Sequence, residues 1–269
     1  MAQVKSGDRA EDSPGAIPER IASRIAACLP ATLSDREIYF LSGLGADWRV
    51  FQRLQIEGYR PVHISWEKPR RGEAIEAYAR RLLAQVTTEN PILVGLSFGG
   101  LMAVEMAKLC NPDRVIVISS AVTADEIPFY FKVFRWIPLQ LVVPFKQLLW
   151  AVYGVLHWLF DLDQPDDRSL FKEVLTDTDP HFLRWAMNRV VGWRNQVVPD
   201  NLVHIHGGRD RIFPVGRHRA DVVLPEGGHL MVLNRASAIS QLLMQTLSGS
   251  PVSPKSAGLG ASQADGGQG

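Results

Sequence analysis

Six short runs of apolar residues, separated by longer stretches whose apolar positions recur at helical spacing, constrain this chain more than any other feature. The runs are Glu37–Ser42, Pro61–Trp66, Ile92–Leu96, Val115–Ser119, Leu202–His206 and Asp221–Leu224. A strand that is apolar on nearly every residue is covered on both faces, which points to a parallel sheet between layers of helices. Helical segments are predicted between the runs at Glu73–Val86 and Phe98–Cys110, and after the last run at Arg235–Leu247. This alternation specifies a doubly wound α/β domain with a sheet of about six strands, all or mostly parallel. Residues 123–200 stand outside it. They follow a strand but read as helical, aromatic and punctuated by proline, so they are expected to form an insertion between the two parts of the domain, 17–122 and 201–247.

With 269 residues, 46% of them hydrophobic and 21% charged, the chain can bury a large core. Its 29 basic and 28 acidic side chains, with no Lys/Arg-rich run, speak against a broad nucleic-acid surface. Two cysteines, Cys28 and Cys110, are too few for a disulfide framework or a cysteine zinc site. The opening M-A-Q-V-K-S-G-D-R-A-E-D-S-P has no apolar signal-peptide core, and a cytoplasmic location is expected. Residues 1–16 and 248–269 are polar or rich in Ser, Gly, Pro, Ala and Gln, and are expected as a disordered arm and tail. Ile17, Ile21, Ile25 and Leu29 predict one amphipathic helix.

The strongest chemical signal is Gly95-Leu96-Ser97-Phe98-Gly99-Gly100, which follows the strand P-I-L-V and opens the helix L-M-A-V-E-M-A-K. A serine in G-x-S-x-G at a strand-to-helix junction sits on a strained turn with its hydroxyl above the sheet. The glycines at 95 and 99 are expected where backbone segments pass too close for a Cβ. Behind Ser97, the helix N-terminus aims N–H groups and its positive dipole end at developing negative charge. Further on, L-V-H-I-H-G-G-R-D-R-I-F-P places Asp210 just past a strand, and P-E-G-G-H-L places His229 past the next. Serine, then aspartate, then histidine, each at the C-terminal end of a parallel strand, is the order and place of a nucleophile, an orienting acid and a base.

The motifs G-L-S-F-G-G, G-G-R-D-R-I-F-P and G-G-H-L resemble those of the α/β-hydrolase superfamily, over roughly residues 37–247. The resemblance implies that Ser97 is the nucleophile, His229 the general base and acid, and Asp210 the residue that orients the imidazole. It also implies an oxyanion hole made by the N–H of Phe98 and one from the loop after the first strand, assigned to Leu44. Many members carry His-Gly in that loop where this chain has Ser42-Gly43. The backbone donor survives the change, and the loop's supporting hydrogen bonds are left unspecified. Members often begin with an antiparallel hairpin, for which the 36 residues before Glu37 offer no strand pattern.

Five of the seven tryptophans, Trp136, Trp150, Trp158, Trp185 and Trp193, fall in the insertion. Its longest uncharged stretch after Pro144, Gln147–Phe160, has 14 residues, short of the roughly 20 that a membrane span requires. A helical lid over an apolar pocket is expected instead, with Trp48, Trp136 and Trp185 as candidate substrate contacts. Lys132, Arg135 and Lys146 are expected to be solvated. Contact of this region with an anionic membrane surface or an acidic acyl carrier is the sharper alternative. His204 and His206 share a strand face without an acidic or cysteine partner at ligand spacing, which reads as structural rather than metal-binding. No metal and no cofactor are expected, and the partner is a small molecule. The expected activity is hydrolysis of a carboxylic ester with a small to medium apolar acyl group. Thioesters, lactones and carbon–carbon bonds, the last with Arg184, Asn188 and Asn195 as candidate polar groups, are open to the same triad, as is slow turnover by a binding protein.

Overall fold

The computed structural model describes residues 36–131, 153–217 and 220–249. The predicted arm, the Ile17–Leu29 helix, nearly all of the tail, Trp136 and Trp150, and Lys132, Arg135 and Lys146 lie outside the described residues.

Six strands form one sheet: β1 (Glu37–Leu41), β2 (Arg60–His63), β3 (Ile92–Leu96), β4 (Arg114–Ile118), β5 (Leu202–Gly207) and β6 (Val222–Leu224). Every pairing is parallel, in the order β2-β1-β3-β4-β5-β6. Because side chains alternate across a strand, the continuous apolar runs feed two cores. Tyr39, Leu41, Leu93, Val115 and Val117 pack on one face against α1 (Ile75–Leu82) and α2 (Phe98–Ala107). Ile38, Phe40, Val94, Leu96, Ile116 and Ile118 pack on the other face, against α6 (Ala236–Leu247), which follows the short α5 (Met231–Asn234). Helix α1 buries Ile75, Tyr78, Ala79 and Leu82, a single stripe at i, i+3, i+4 and i+7. Helix α2 is buried nearly all round, from Phe98 to Met106, and its one charged side chain, Glu105, is paired with Lys108 and Trp193.

Element ends fall within four residues of the sequence expectation, and two of the shifts have a clear local cause. The second strand ends at His63 instead of Trp66: β1 leaves the sheet after Leu41, so Ile64 still finds Phe40 O at 2.9 Å but Ser65 turns its N–H to Gln85 Oε1. Helix α1 starts at Ile75 instead of Glu73 because the Glu73 carboxylate is used to close the preceding turn, accepting from Arg70 N at 2.7 Å and from Arg81.

The described part of the insertion is helical: residues 153–159, α3 (Pro165–Asp177) and α4 (Pro180–Gly192). Both named helices begin with proline, whose fixed φ and missing N–H suit the first turn, and Asp179 caps α4 through His181 N at 2.8 Å. Polar links fasten the insertion to the domain, among them two ion pairs and two indole hydrogen bonds. Arg53 pairs with the buried Asp167 at 2.6 Å and Arg49 with Asp177 at 2.7 Å. The indoles of Trp185 and Trp193 donate to Glu73 O and to Glu105 Oε1, each at 2.8 Å. Among the described residues no helix is long and apolar enough to cross a membrane.

Candidate active site

Strand order reverses at β1: β2 lies on one side of it and β3 on the other. The crevice beyond such a reversal is where open α/β sheets place their ligands. The loop after β1 and the turn after β3 both open into it. In that turn Ser97 has φ 53° and ψ −120°, a conformation that costs a non-glycine residue roughly 1–3 kcal/mol. The surroundings hold it there. Ser97 N donates to Ile118 O at 3.0 Å, and Ser97 O accepts from Gly100 N at 2.8 Å and from the Ser120 hydroxyl at 2.6 Å. A Cβ on Gly95 would lie 2.3 Å from Gly99 O, and one on Gly99 would lie 2.1 Å from Leu41 O, so both positions admit only glycine. The bracing by Ser120 was not visible in the sequence, where a serine after a strand carries no signal.

The structure brings Ser97, His229 and Asp210 together. Ser97 Oγ is 2.9 Å from His229 Nε2, and His229 Nδ1 is 2.9 Å from Asp210 Oδ2. The other carboxylate oxygen, Oδ1, accepts from the N–H groups of Ile212 and Phe213, both at 2.8 Å. Because Asp210 can only accept, His229 carries its proton on Nδ1 and offers a lone pair to the serine. His229 is 1% exposed and lies between two rings, Phe213 stacked at 5.9 Å and Phe160 edge-on at 5.4 Å. Burial by itself pushes the Asp210 carboxyl up, but His229, the Phe213 N–H and the nearby His206 outweigh it and hold the group below the usual carboxylate range.

Leu44 and Phe98 line the same cavity as Ser97. Among the described residues neither backbone N–H makes a hydrogen bond in a turn, loop or cap. Ser42 supplies the support that the sequence left unspecified: its hydroxyl donates to Ala46 O at 2.8 Å and accepts from Trp66 Nε1 at 2.9 Å, tying the loop closed and to the segment that follows β2. Asp47 caps the 3₁₀ turn Trp48–Phe51 through Arg49 N.

The cavity above Ser97 has a volume of about 470 Å³. Val50 and Leu101 from the domain and Leu159, Phe171, Met187 and Val190 from the insertion give it apolar walls. Arg211 is the one permanently charged side chain lining it among the described residues. It is held by Asp161 and by Trp158 O, with its guanidinium over the Trp158 ring. The Tyr130 hydroxyl donates to Ile212 O.

Two of the expected substrate contacts, Trp48 and Trp185, do not line this cavity. Trp48 is 54% exposed and packs on His63 in a separate cleft on the far side of the loop. Trp185 sits behind Phe98, its ring 4.3 Å from that of Tyr78 and edge-on to Phe98. Its indole N–H needs a partner when buried and finds it in the backbone of Glu73, which turns the ring away from the cavity. The face that α4 presents to the serine carries Met187 and Val190, three residues apart. Arg184, Asn188 and Asn195 do not line the cavity either. Asn188 bonds Arg184 O, and Asn195 is buried against Val122 O and Val197 O.

Comparison with known proteins agrees with this architecture. The structure is similar to a lipase-esterase related protein from Clostridium acetobutylicum (TM-score 0.60, 17% identity, 79% of this chain and 95% of that one). It is similar as well to an esterase from Exiguobacterium antarcticum (0.59, 18%, 80% and 92%) and to an epoxide hydrolase from Bacillus megaterium (0.61, 13%, 80% and 94%). At these identities the likeness is one of fold, and the different activities named show that the fold does not choose the bond. A search of curated proteins found no match. The sequence profile described as the alpha/beta hydrolase family matches residues 38–242, a span that takes in the six strands save Glu37 at the start of β1, together with Ser97, Asp210 and His229, and to that family this chain belongs.

Proposed function

We propose that the protein is a serine hydrolase that cleaves a carboxylic ester with an apolar acyl group. The observation that carries this is the continuous Ser97–His229–Asp210 hydrogen-bonded chain at the floor of an apolar cavity of about 470 Å³. In the proposed reaction Ser97 Oγ attacks the ester carbonyl carbon while its proton passes to His229 Nε2, and the Asp210 carboxylate stabilises the imidazolium through Nδ1–H. The carbonyl oxygen, now negative, accepts from the N–H groups of Leu44 and Phe98. The carbon–oxygen bond to the alcohol breaks as His229 returns its proton to the leaving oxygen. A water then gives its proton to His229 and attacks the acyl-enzyme, releasing the acid and restoring Ser97. No cofactor enters this sequence, and the partner it requires is a small molecule.

An ester is favoured over a carbon–carbon bond because a carbanion needs polar groups at the leaving fragment. Arg184, Asn188 and Asn195, which could have supplied them, do not line the cavity. The test is a fluorophosphonate probe on wild type and Ser97→Ala, run beside p-nitrophenyl esters of increasing chain length. Labelling and turnover in the wild type, absent from a folded Ser97→Ala, are expected, with medium chains preferred over acetyl. Equal turnover in the variant would remove Ser97 from the reaction. Labelling without turnover would move the bond to a thioester, lactone or carbon–carbon bond, or the role to that of a slow binder.

A further inference from the structure

The hydrogen-bonded chain continues behind Asp210. His204 and His206 stand two residues apart on β5, so they share a face, and they are 1% and 0% exposed. Their rings meet edge to face with centroids 5.1 Å apart. His204 Nε2 lies 3.1 Å from His206 Nδ1, and His206 Nε2 lies 2.6 Å from Phe213 O and 3.6 Å from Asp210 Oδ2.

These contacts determine the tautomers. A carbonyl oxygen only accepts, so His206 carries a proton on Nε2. In the neutral ring Nδ1 is then a lone pair and accepts from Nε2–H of His204. Each N–H in the series therefore points toward the acid loop. His204 does for His206 what Asp210 does for His229: it holds an imidazole in one tautomer and one orientation.

We propose that His206, oriented by His204, is a positioning residue for the proposed triad, acting on Asp210 in two ways. It anchors the carbonyl of Phe213, whose own N–H is one of the two that grip Asp210 Oδ1, and so fixes the plane of the carboxylate. It also turns an N–H dipole toward Oδ2, the oxygen that accepts from His229, and offsets part of the charge there. The proposal rests on the triad assignment above. Among the described residues, the titratable groups around His206 are His204 on its own strand and Asp210 on the following loop, with His229 beyond the carboxylate. The Asp221 carboxylate accepts from the backbone N–H of His204 at 2.8 Å.

The test compares wild type with His206→Phe and His206→Gln, using steady-state hydrolysis of a p-nitrophenyl ester across pH together with proton NMR of the unreacted protein. Loss of a hydrogen bond that supports a charged group corresponds to roughly a ten- to hundredfold change in rate. His206→Phe is expected to lose that much in kcat with KM nearly unchanged. Its acid limb should move to higher pH, because a less compensated carboxylate holds the proton on His229 more strongly. The downfield resonance of the His229–Asp210 proton should shift, and His206→Gln, which restores an N–H donor, should return limb and resonance toward wild type. A fall in kcat with limb and resonance unmoved, or no rescue by glutamine, would reduce His206 to a packing residue and overturn the proposal. His204→Phe, which frees the His206 tautomer, should move the same readouts in the same direction by less, and serves if His206→Phe does not fold. Failure of the triad assignment is recognised separately, by wild type that the fluorophosphonate does not label at Ser97.

Discussion

Asp210 shows how one side chain can be over-determined by its neighbours. Four polar groups converge on a carboxylate that is almost fully buried: two backbone N–H groups on one oxygen, and His229 with His206 near the other. Asp210→Asn retains the shape and presents an N–H2 where a lone pair is needed, favouring the tautomer of His229 that cannot take the serine proton. A loss of roughly a thousandfold or more in kcat is expected from ester hydrolysis rates. Stability should change with a defined sign. The Asp210 carboxyl titrates lower in the folded chain than in the unfolded one, where it has a value of about 3.9. Its stabilising contribution is therefore complete above that value and is lost as pH falls through the folded value. The gap in Tm between wild type and Asp210→Asn should be constant above about pH 5 and narrow as pH falls below about 4. Ser97, Asp210 and His229, which the structure brings into one hydrogen-bonded chain, could be picked out of the sequence because each lies a few residues past a strand. The dyad of His204 and His206 was legible only as two rings on one face. That they meet each other and then the acid loop depends on the path of residues 207–213, which no periodicity encodes.

At the scale of elements, the sheet could be read from the sequence because each strand is apolar on both faces, and all six were found with ends off by at most a few residues. The insertion was harder to read, for a physical reason. Tryptophan is both a large apolar surface and an N–H donor, so a tryptophan-rich helix can line a pocket or cement two layers with equal local plausibility. Here Trp185 and Trp193 cement. Trp193→Phe keeps the ring's packing but withdraws the indole N–H from Glu105, a carboxylate that is 1% exposed and is then left to Lys108 Nζ at 2.6 Å. A loss of about 1–3 kcal/mol is expected, read as a lower urea midpoint at unchanged slope.

Over the whole molecule, the cavity is a shared possession: the domain supplies the serine, the histidine and one wall, and the insertion supplies the other. Its depth is therefore set by residues such as Met187 that no motif marks. Met187→Trp should shorten the preferred acyl chain while leaving Ser97 open to a small fluorophosphonate, as read from the p-nitrophenyl ester series and the labelling rate. A preference unchanged by the larger side chain would place the acyl group elsewhere.

Those apolar walls also bear on the direction of traffic. An uncharged ester loses little by leaving water for such a space, whereas the carboxylate made from it is an ion whose burial without a partner is costly, and Arg211 is already engaged by Asp161 and Trp158. In the proposed reaction the molecule that enters is thus at home in the cavity and the molecule that forms is not. Hydrolysis itself loosens the grip on the acyl chain, and the vacated site is left ready for the next ester without any moving part being needed to eject the product.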